Sequence, residues 1–456
     1  MDLLPDFGNV LYTAAAFVVA LSIIVFIHEF GHYIVGRWSG IGAEVFSLGF
    51  GPVLVSRVDR RGTRWQIAAI PLGGYVRFNG DSNAASAGAA DEAELDAMSP
   101  EERRRTLAGA PLWARFATVA AGPVFNFILS VAIFAGAVAW QGVATEAPTV
   151  GRLATLPEGE GALQPGDRIL ALDGHETPDY RAFYAALADL PPTPTVRWSI
   201  ERDGTARDID GPQPMPPLLS GVMPSSAAAG AGLKAGDVIT KVDGAPIWRF
   251  EDLRSRVGAS AGAPLDLTVW RPLPAGAAGG TAATGAQLLT LSLTPKRMDL
   301  PLPNGDFETR WMIGATGDMA FAPETRAAGP LEALERGAGQ VWTIVTSSVS
   351  AFEHMILGKI SSCNLHGAVG IAQGSAAAAQ AGAMDFIWFI GVLSTAVGFL
   401  NLFPVPVLDG GHLMFYLWEA VTRRPPSPAV LNVLTAAGMV AVLSLMLFGL
   451  WNDVTC

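Results

Sequence analysis

His28-Glu29-Phe30-Gly31-His32 closes an almost wholly apolar run, Val10–Ile27, and the two together are long enough to cross a bilayer. Histidines four apart lie on one face of a helix, where both imidazoles can reach a single ion, and H-E-x-x-H is the metalloprotease pattern of that kind. Ionisable groups at membrane depth are costly and mark functional sites by default. A chance H-E-x-x-H in a core helix is the competing reading. A match at the end of such an apolar run is much rarer than a match anywhere, so the stretch is read as a metal site built into a membrane span.

The rest of the composition agrees with a membrane protein. Half of the 456 residues are hydrophobic and 16% are charged. Four segments reach the ~20 residues a spanning helix needs: Val10–Gly36, Phe116–Trp140, Phe386–Phe403 and Val430–Trp451. The first lacks a basic start and contains the candidate site, so it does not read as a removable signal peptide. A net charge of −11, with no basic block of the required kind, speaks against a nucleic-acid partner. Two cysteines, Cys363 and Cys456, are too few for a disulfide framework or a thiolate metal site. Ten arginines fall in Arg37–Arg115, and Arg423-Arg424 lie between the last two spans. The positive-inside rule puts both loops in the cytoplasm and both termini, with the long Gln141–Asp385 region, on the opposite side.

Between the spans, Ala43–Phe50, Val53–Val58, Trp65–Ile70 and Gly74–Phe78 read as short strands, rich in β-branched and aromatic residues and punctuated by Gly and Pro. They form either a sheet that seals the helix ends or an edge that pairs with an unwound substrate segment. Asn79–Met98 reads as a linker, and Ser99-Pro100-x-Glu102 as a helix start. The extramembrane region contains a duplication. Ala162-Leu163-Gln164-Pro165-Gly166-Asp167-Arg168-Ile169, ending in Asp173-Gly174, recurs as Gly232-Leu233-Lys234-Ala235-Gly236-Asp237-Val238-Ile239, ending in Asp243-Gly244. Each copy resembles a PDZ domain of the bacterial type, a module that binds peptide by strand addition. Leu219-Ser220-Gly221-Val222 is the candidate groove of the second copy; steric plugs that never bind peptide are the alternative. Gly329–Gly358 has the spacing of an amphipathic helix that either braces the membrane surface or packs on the second module.

A catalytic zinc site needs three protein ligands and an open position. His28 and His32 supply two. Glu29, beside a ligand, is placed to take a proton from metal-activated water and pass it to the leaving amine. The third ligand must come from another span. Asn401-Leu402-Phe403-Pro404-Val405-Pro406-Val407-Leu408-Asp409-Gly410-Gly411-His412 offers Asp409 or His412, and an isolated carboxylate at this depth favours Asp409. The prolines unwind the helix and leave room for an extended substrate. Asn401 either holds substrate backbone or bonds a carbonyl freed by Pro404. His175, His354 and His366 read as ordinary surface or loop histidines.

With these motifs assembled, the chain resembles the bacterial site-2 proteases of the regulator of sigma-E protease type. The resemblance rests on H-E-x-x-H, Pro71-Leu72-Gly73-Gly74-Tyr75-Val76, Gly122-Pro123-x-x-Asn126, the tandem PDZ-like copies and Asn-x-x-Pro-x-Pro-x-Leu-Asp-Gly, so it covers the whole length. It implies an α-helical polytopic membrane protein of four transmembrane helices, with a small cytoplasmic β-sheet and two extracytoplasmic PDZ (α+β) modules. The expected divisions are 1–36 (first span), 37–115 (loop with sheet and linker), 116–141 (second span), 142–215 and 216–300 (the modules), 301–383 (brace), 384–420 (third span), 421–429 (turn) and 430–456 (fourth span). It implies one zinc ion on His28, His32 and Asp409, and Glu29 as general acid and base. Substrate would be handled by Gly73, Gly74, Tyr75, Asn401, Pro404 and Pro406. The implied substrates are single-span anti-sigma factors already trimmed by a first protease, and leftover signal peptides, in the bacterial inner membrane. Bulky modules would exclude untrimmed substrates; deleting Val150–Pro295 is then expected to admit them. A catalytically inactive PDZ membrane scaffold and a metal transporter are the alternatives. The first would have lost Glu29 or a ligand, and the second has no use for Glu29 or for PDZ modules.

Overall fold

A computed structural model describes residues 7–80, 98–157, 163–223, 226–273, 285–301, 307–361, 363, 365 and 367–455. The expected linker core, 81–97, lies outside them, as do Ala162, His366 and Cys456. Among the described residues, four helices are long and apolar enough to cross a membrane: Val10–Trp38, Leu112–Gln141, Ala383–Asn401 and Ala429–Thr455. These are the four expected spans, and the chain is a polytopic membrane protein. Two compact units emerge.

The helical unit is built on contacts between spans. Ala20 and Ile24 of the first span pack with Ile390 of the third. Small and hydroxylated residues bring the second and third together: Ser130 Oγ donates to the Gly391 carbonyl and Ser394 Oγ to that of Asn126. A Cβ on Gly391 would lie 2.9 Å from the Phe134 ring. Close approach of this sort drives helix association where lipid removes the hydrophobic incentive. The third span stops at Asn401, and Leu402–Leu408 is irregular before a helix resumes at Asp409–Thr422. The helix Pro330–Ile356 packs here, its Gly337 against the Val131–Ala135 backbone and Phe352 against Phe403 (5.7 Å). Asp453, near the end of the fourth span, accepts from the amides of Gly367, Val369 and Gly370 at the start of the Ala368–Ala381 helix. Cys363 is disulfide-bonded.

The loop after the first span is a sheet, as expected, but of two long bent strands, Ala43–Val58 and Arg64–Phe78. Gly49, Gly51 and Gly73 bend them in positive-φ conformations. The four expected strands survive as pairing segments. Val45–Leu48 pairs both with Arg64–Ile67 and with Gly74–Arg77, and Val53–Val58 pairs with Arg64–Ala68. Gly74–Arg77 is therefore an edge. Phe50, Val53, Leu54, Val55, Ile67, Ile70 and Leu72 are exposed at the bent end. The helix Pro100–Arg104 starts at Ser99 with the reciprocal Ser99–Glu102 cap.

The second unit holds the duplication as two four-stranded sheets, each with one helix packed on it. The repeated motif has a physical basis. Asp173-Gly174 and Asp243-Gly244 all have positive φ, as the tight turn of a two-residue hairpin requires. Asp167 and Asp237, each 1% exposed, accept from the Gln164 and Lys234 amides. Each also takes a two-nitrogen grip from an arginine one strand away, Arg202 (both 2.6 Å) or Arg271 (2.6 and 2.7 Å). Those bonds raise the affinity of both guanidiniums for their protons. Asp237→Ala strands Arg271 beside a buried turn and should cost about 3 kcal/mol in the unfolding of this unit. Limited proteolysis in urea would measure it.

The expected divisions fail at 301. Lys296–Pro301 and Phe307–Met312 form a hairpin, Ala315–Gly317 pairs with Leu219–Val222, and Phe321–Pro323 pairs with Val150–Leu153. Residues to 326 thus complete the two modules instead of bracing a span, because each sheet-and-helix core lacks one wall without them. Phe321 is fully buried in the first core and Ile313 lies in the second. The second module is inserted in the first: Ala320 N bonds the Pro214 carbonyl where the chain enters and leaves it.

Candidate active site and metal centre

His28 and His32 leave the same face of the first span, with Nε2 atoms 3.2 Å apart. Asp409 opens its helix opposite them, Oδ2 3.1 Å from His28 Nε2 and Oδ1 3.5 Å from His32 Nε2. One ligand atom from each of the three lies within 4.8 Å of the others. The other expected third ligand, His412, borders the same cavity without joining this cluster; its ring packs edge-on against Phe415.

The second span forms the back wall. His32 Nδ1 lies 2.9 Å from the Thr118 carbonyl, which can only accept, so Nδ1 carries the proton and Nε2 presents its lone pair. His28 Nδ1 lies 3.1 Å from the Asn126 side-chain amide, whose Oδ1 is buried without a partner. With the amide turned over, that oxygen accepts from His28 Nδ1 and frees the second Nε2 in the same way. A Cβ on Gly122 would sit 2.3 Å from His32 Nε2 and 2.8 Å from His28 Cε1, so only glycine leaves room for the rings. Asp409 Oδ2 is likewise buried without an aligned donor. Two imidazole lone pairs and an unsatisfied carboxylate oxygen, buried together, are unfavourable alone and suit one cation. Nitrogen and oxygen donors of this number fit zinc.

A cavity of about 300 Å³ opens on the cluster, bordered by Glu29, Gly74, Tyr75, Val76, Asn401 and Val407 among others. The Val76 amide is a hydrogen-bond partner of Glu29. Of the expected substrate residues, Gly74, Tyr75 and Asn401 border the cavity; Gly73, Pro404 and Pro406 do not. Gly73 instead gives way to the Phe50 ring, and Pro406 packs against Gly438. Gly410 and Gly411 press against the backbone of Leu402–Pro406, which sets where Asp409 begins its helix. Arg115 of the second span grips Glu419 with two nitrogens (2.6 and 3.1 Å) and lies over the Tyr416 ring, fixing the other end of that helix. Sequence reasoning picked out Gly122 and Asn126 within a family motif without assigning them a role, and did not find Thr118. An asparagine in an apolar span was a usable signal; Thr118 acts through its backbone, which no residue type announces.

Other expectations fare differently. His175 is exposed, but His354 is buried, its Nδ1 on the Ser350 carbonyl one turn back, so it is no surface histidine. The proposed groove residues Leu219, Ser220, Gly221 and Val222 lie one strand away from an open groove. That groove, about 410 Å³, runs between the helix Phe250–Ala259 and residues 309–315, and none of the four borders it. Their strand is covered by Ala315–Gly317, which takes the position facing the helix.

The model of "Peptidase family M50" matches residues 16–445. A protein of Rhizobium meliloti (strain 1021) named "Putative zinc metalloprotease" is 37% identical over 455 residues, covering 100% of this chain and 99% of that protein. A protein of Agrobacterium fabrum bearing the same description is 35% identical over 440 residues, with 96% and 94% covered. The "Regulator of sigma-E protease RseP" of Salmonella typhimurium (strain 14028s / SGSC 2262) is 34% identical over 477 aligned positions, with 98% and 99% covered. The chain belongs to peptidase family M50 and is a membrane zinc metalloprotease of the regulator of sigma-E protease type.

Proposed function

We propose that this protease hydrolyses a peptide bond inside the transmembrane segment of single-span proteins already shortened by another protease, an anti-sigma factor foremost. The observation that carries the reading is the convergence of His28, His32 and Asp409 beside Glu29 and a free strand edge, all in a span-built cavity. His28 and His32 through Nε2, and Asp409 through its carboxylate, would hold the zinc. When bound, zinc supplies a Lewis acid that polarises the scissile carbonyl and activates water. Glu29 takes the proton from the attacking water and delivers it to the leaving nitrogen. Gly74–Arg77 offers its edge to an unwound substrate segment, as strand addition requires no particular sequence, and Asn401 holds a substrate carbonyl. An intact helix has no free backbone groups for such an edge, so unwinding precedes cutting. The arginine-rich loops support a site near the cytoplasmic face of the bacterial inner membrane, with both modules periplasmic. Leftover signal peptides fit the same cavity requirements. The intact Glu29 and donor cluster count against an inactive PDZ scaffold.

The PDZ-like modules act as a size filter, and the nested strands change how that is tested. Removing Val150–Pro295 would strand the segments 296–326 that complete both cores. Replacing Val143–Arg326 by a flexible linker removes both modules whole. The expected result is cleavage of untrimmed substrate in reconstituted bilayers; unchanged dependence on the first cut would refute the filter.

A further inference from the structure

A second concavity, of about 410 Å³, opens beyond the last turn of the first span, bordered by Arg37, Glu44, Arg61, Arg64 and Arg77. Arg37 lies in the last turn of the helix, Arg61 lies in the turn between the bent strands, and Arg64 and Arg77 flank Val45 on its two sides. Four arginines therefore border a concavity with one carboxylate, and Glu44 is already engaged by Arg77 Nη2 at 2.9 Å. Among the described residues, the guanidiniums of Arg37, Arg61 and Arg64 have no acceptor, and Arg77 Nε is buried without one. The nearby Asp59 does not serve them. Its oxygens accept from the Arg61 and Thr63 amides, Tyr33 Oη and Trp65 Nε1, which hold its carboxyl below the usual range despite some loss of solvent.

Unneutralised cations around a concave wall focus their field on one point. Several planar forks around one concavity suit a compact tetrahedral oxyanion better than a single carboxylate. The location narrows the source. The concavity adjoins the end of a membrane span, and its own two strands expose Val53, Leu54, Val55, Ile67, Ile70 and Leu72 at their other end. That surface belongs in lipid, which sets the arginines at the depth of headgroup phosphates. We propose that this concavity is a phosphate site that takes the headgroup of an anionic phospholipid. The headgroup joins the end of the first span to the strand whose residues Gly74–Val76 border the catalytic cavity, and so holds the substrate-facing edge beside Glu29.

The test uses the full chain in bilayers of phosphatidylcholine with increasing fractions of phosphatidylglycerol, counting phosphatidylglycerol retained per protein by mass spectrometry. Arg61→Gln with Arg64→Gln removes two exposed side chains that make no hydrogen bond or ion pair among the described residues, and the thermal midpoint of the variant checks its folding. A control, Arg423→Gln with Arg424→Gln, removes the same charge from the other basic turn. The half-saturating fraction should rise about ten-fold or more in the first variant and stay within two-fold in the control. A parallel arm adds inorganic phosphate to pure phosphatidylcholine bilayers and reads the thermal midpoint. Stabilisation there that the first variant abolishes would keep the phosphate site and assign it to free phosphate. Equal retention by all three proteins, or equal loss in both variants, would overturn the proposal.

Discussion

Glu29→Gln should leave the zinc content of the purified protein unchanged and lower the rate of intramembrane cleavage by about 10³-fold or more. The side chain keeps its size and its place by Val76, and it is not among the clustered donors, so nothing that holds the ion is removed. What disappears is, among the described residues bordering the cavity, the one carboxylate outside the donor cluster. Metal analysis and single-turnover cleavage of a reconstituted single-span substrate are the paired measurements. Loss of zinc along with activity would mean that Glu29 is a ligand. Retention of both would make it a bystander, and the assignment of His28, His32 and Asp409 as the complete ligand set would need another proton carrier.

Gly122→Ala should be nearly as damaging by a different route. The added methyl falls 2.3 Å from His32 Nε2, inside any permissible contact, and 2.5 Å from His32 Cε1. The helix backbone carrying it is held from behind by Ser130 and Ser394, so the imidazoles must move instead. We expect zinc affinity, measured by chelator competition, to fall by about 100-fold or more, the upper range for disturbances just outside a ligand set. Thermal unfolding of the zinc-free protein should change by much less. Wild-type affinity in this variant would show that the rings sit elsewhere when the ion is bound. An alanine at Gly136, whose Cβ meets nothing within 4 Å on the same helix, should leave affinity untouched.

Much of this site was legible because membrane burial makes each polar residue conspicuous. In a soluble enzyme of this length His28, Glu29, His32 and Asp409 would compete with dozens of candidates; inside apolar spans they had almost no rivals. The same contrast drew attention to Asn401. It also left His412, equally conspicuous, as an alternative to Asp409; His412 borders the cavity without joining the cluster. The back wall was harder to see. Gly122 matters for what it lacks and Thr118 for a carbonyl every residue possesses, and neither leaves a compositional trace. The strand segments in Ala43–Phe78 could be located from β-branched residues and glycines, but their pairing order depends on bends at Gly49, Gly51 and Gly73 that periodicity does not encode. The groove expectation met a related obstacle. Leu219–Val222 was found next to the repeat motif, whereas its covering strand arrives almost a hundred residues later, at Ala315–Gly317.

That late arrival also dictates an order of assembly. The first module emerges from the ribosome well before Phe321, the side chain that plugs its core, and in the interval it has an open flank where Val150–Leu153 awaits a partner. Nothing prevents the inserted module from closing first, since its own last strand precedes Phe321 in the chain. The outer module is thus the slower of the two to complete, with a loop of more than 160 residues to close before Phe321–Pro323 reaches Val150–Leu153. A truncation anywhere between them yields a finished inner domain on an unfinished outer one. A chain stopped near 318 would lack Phe321 and leave the first core open along Val150–Leu153.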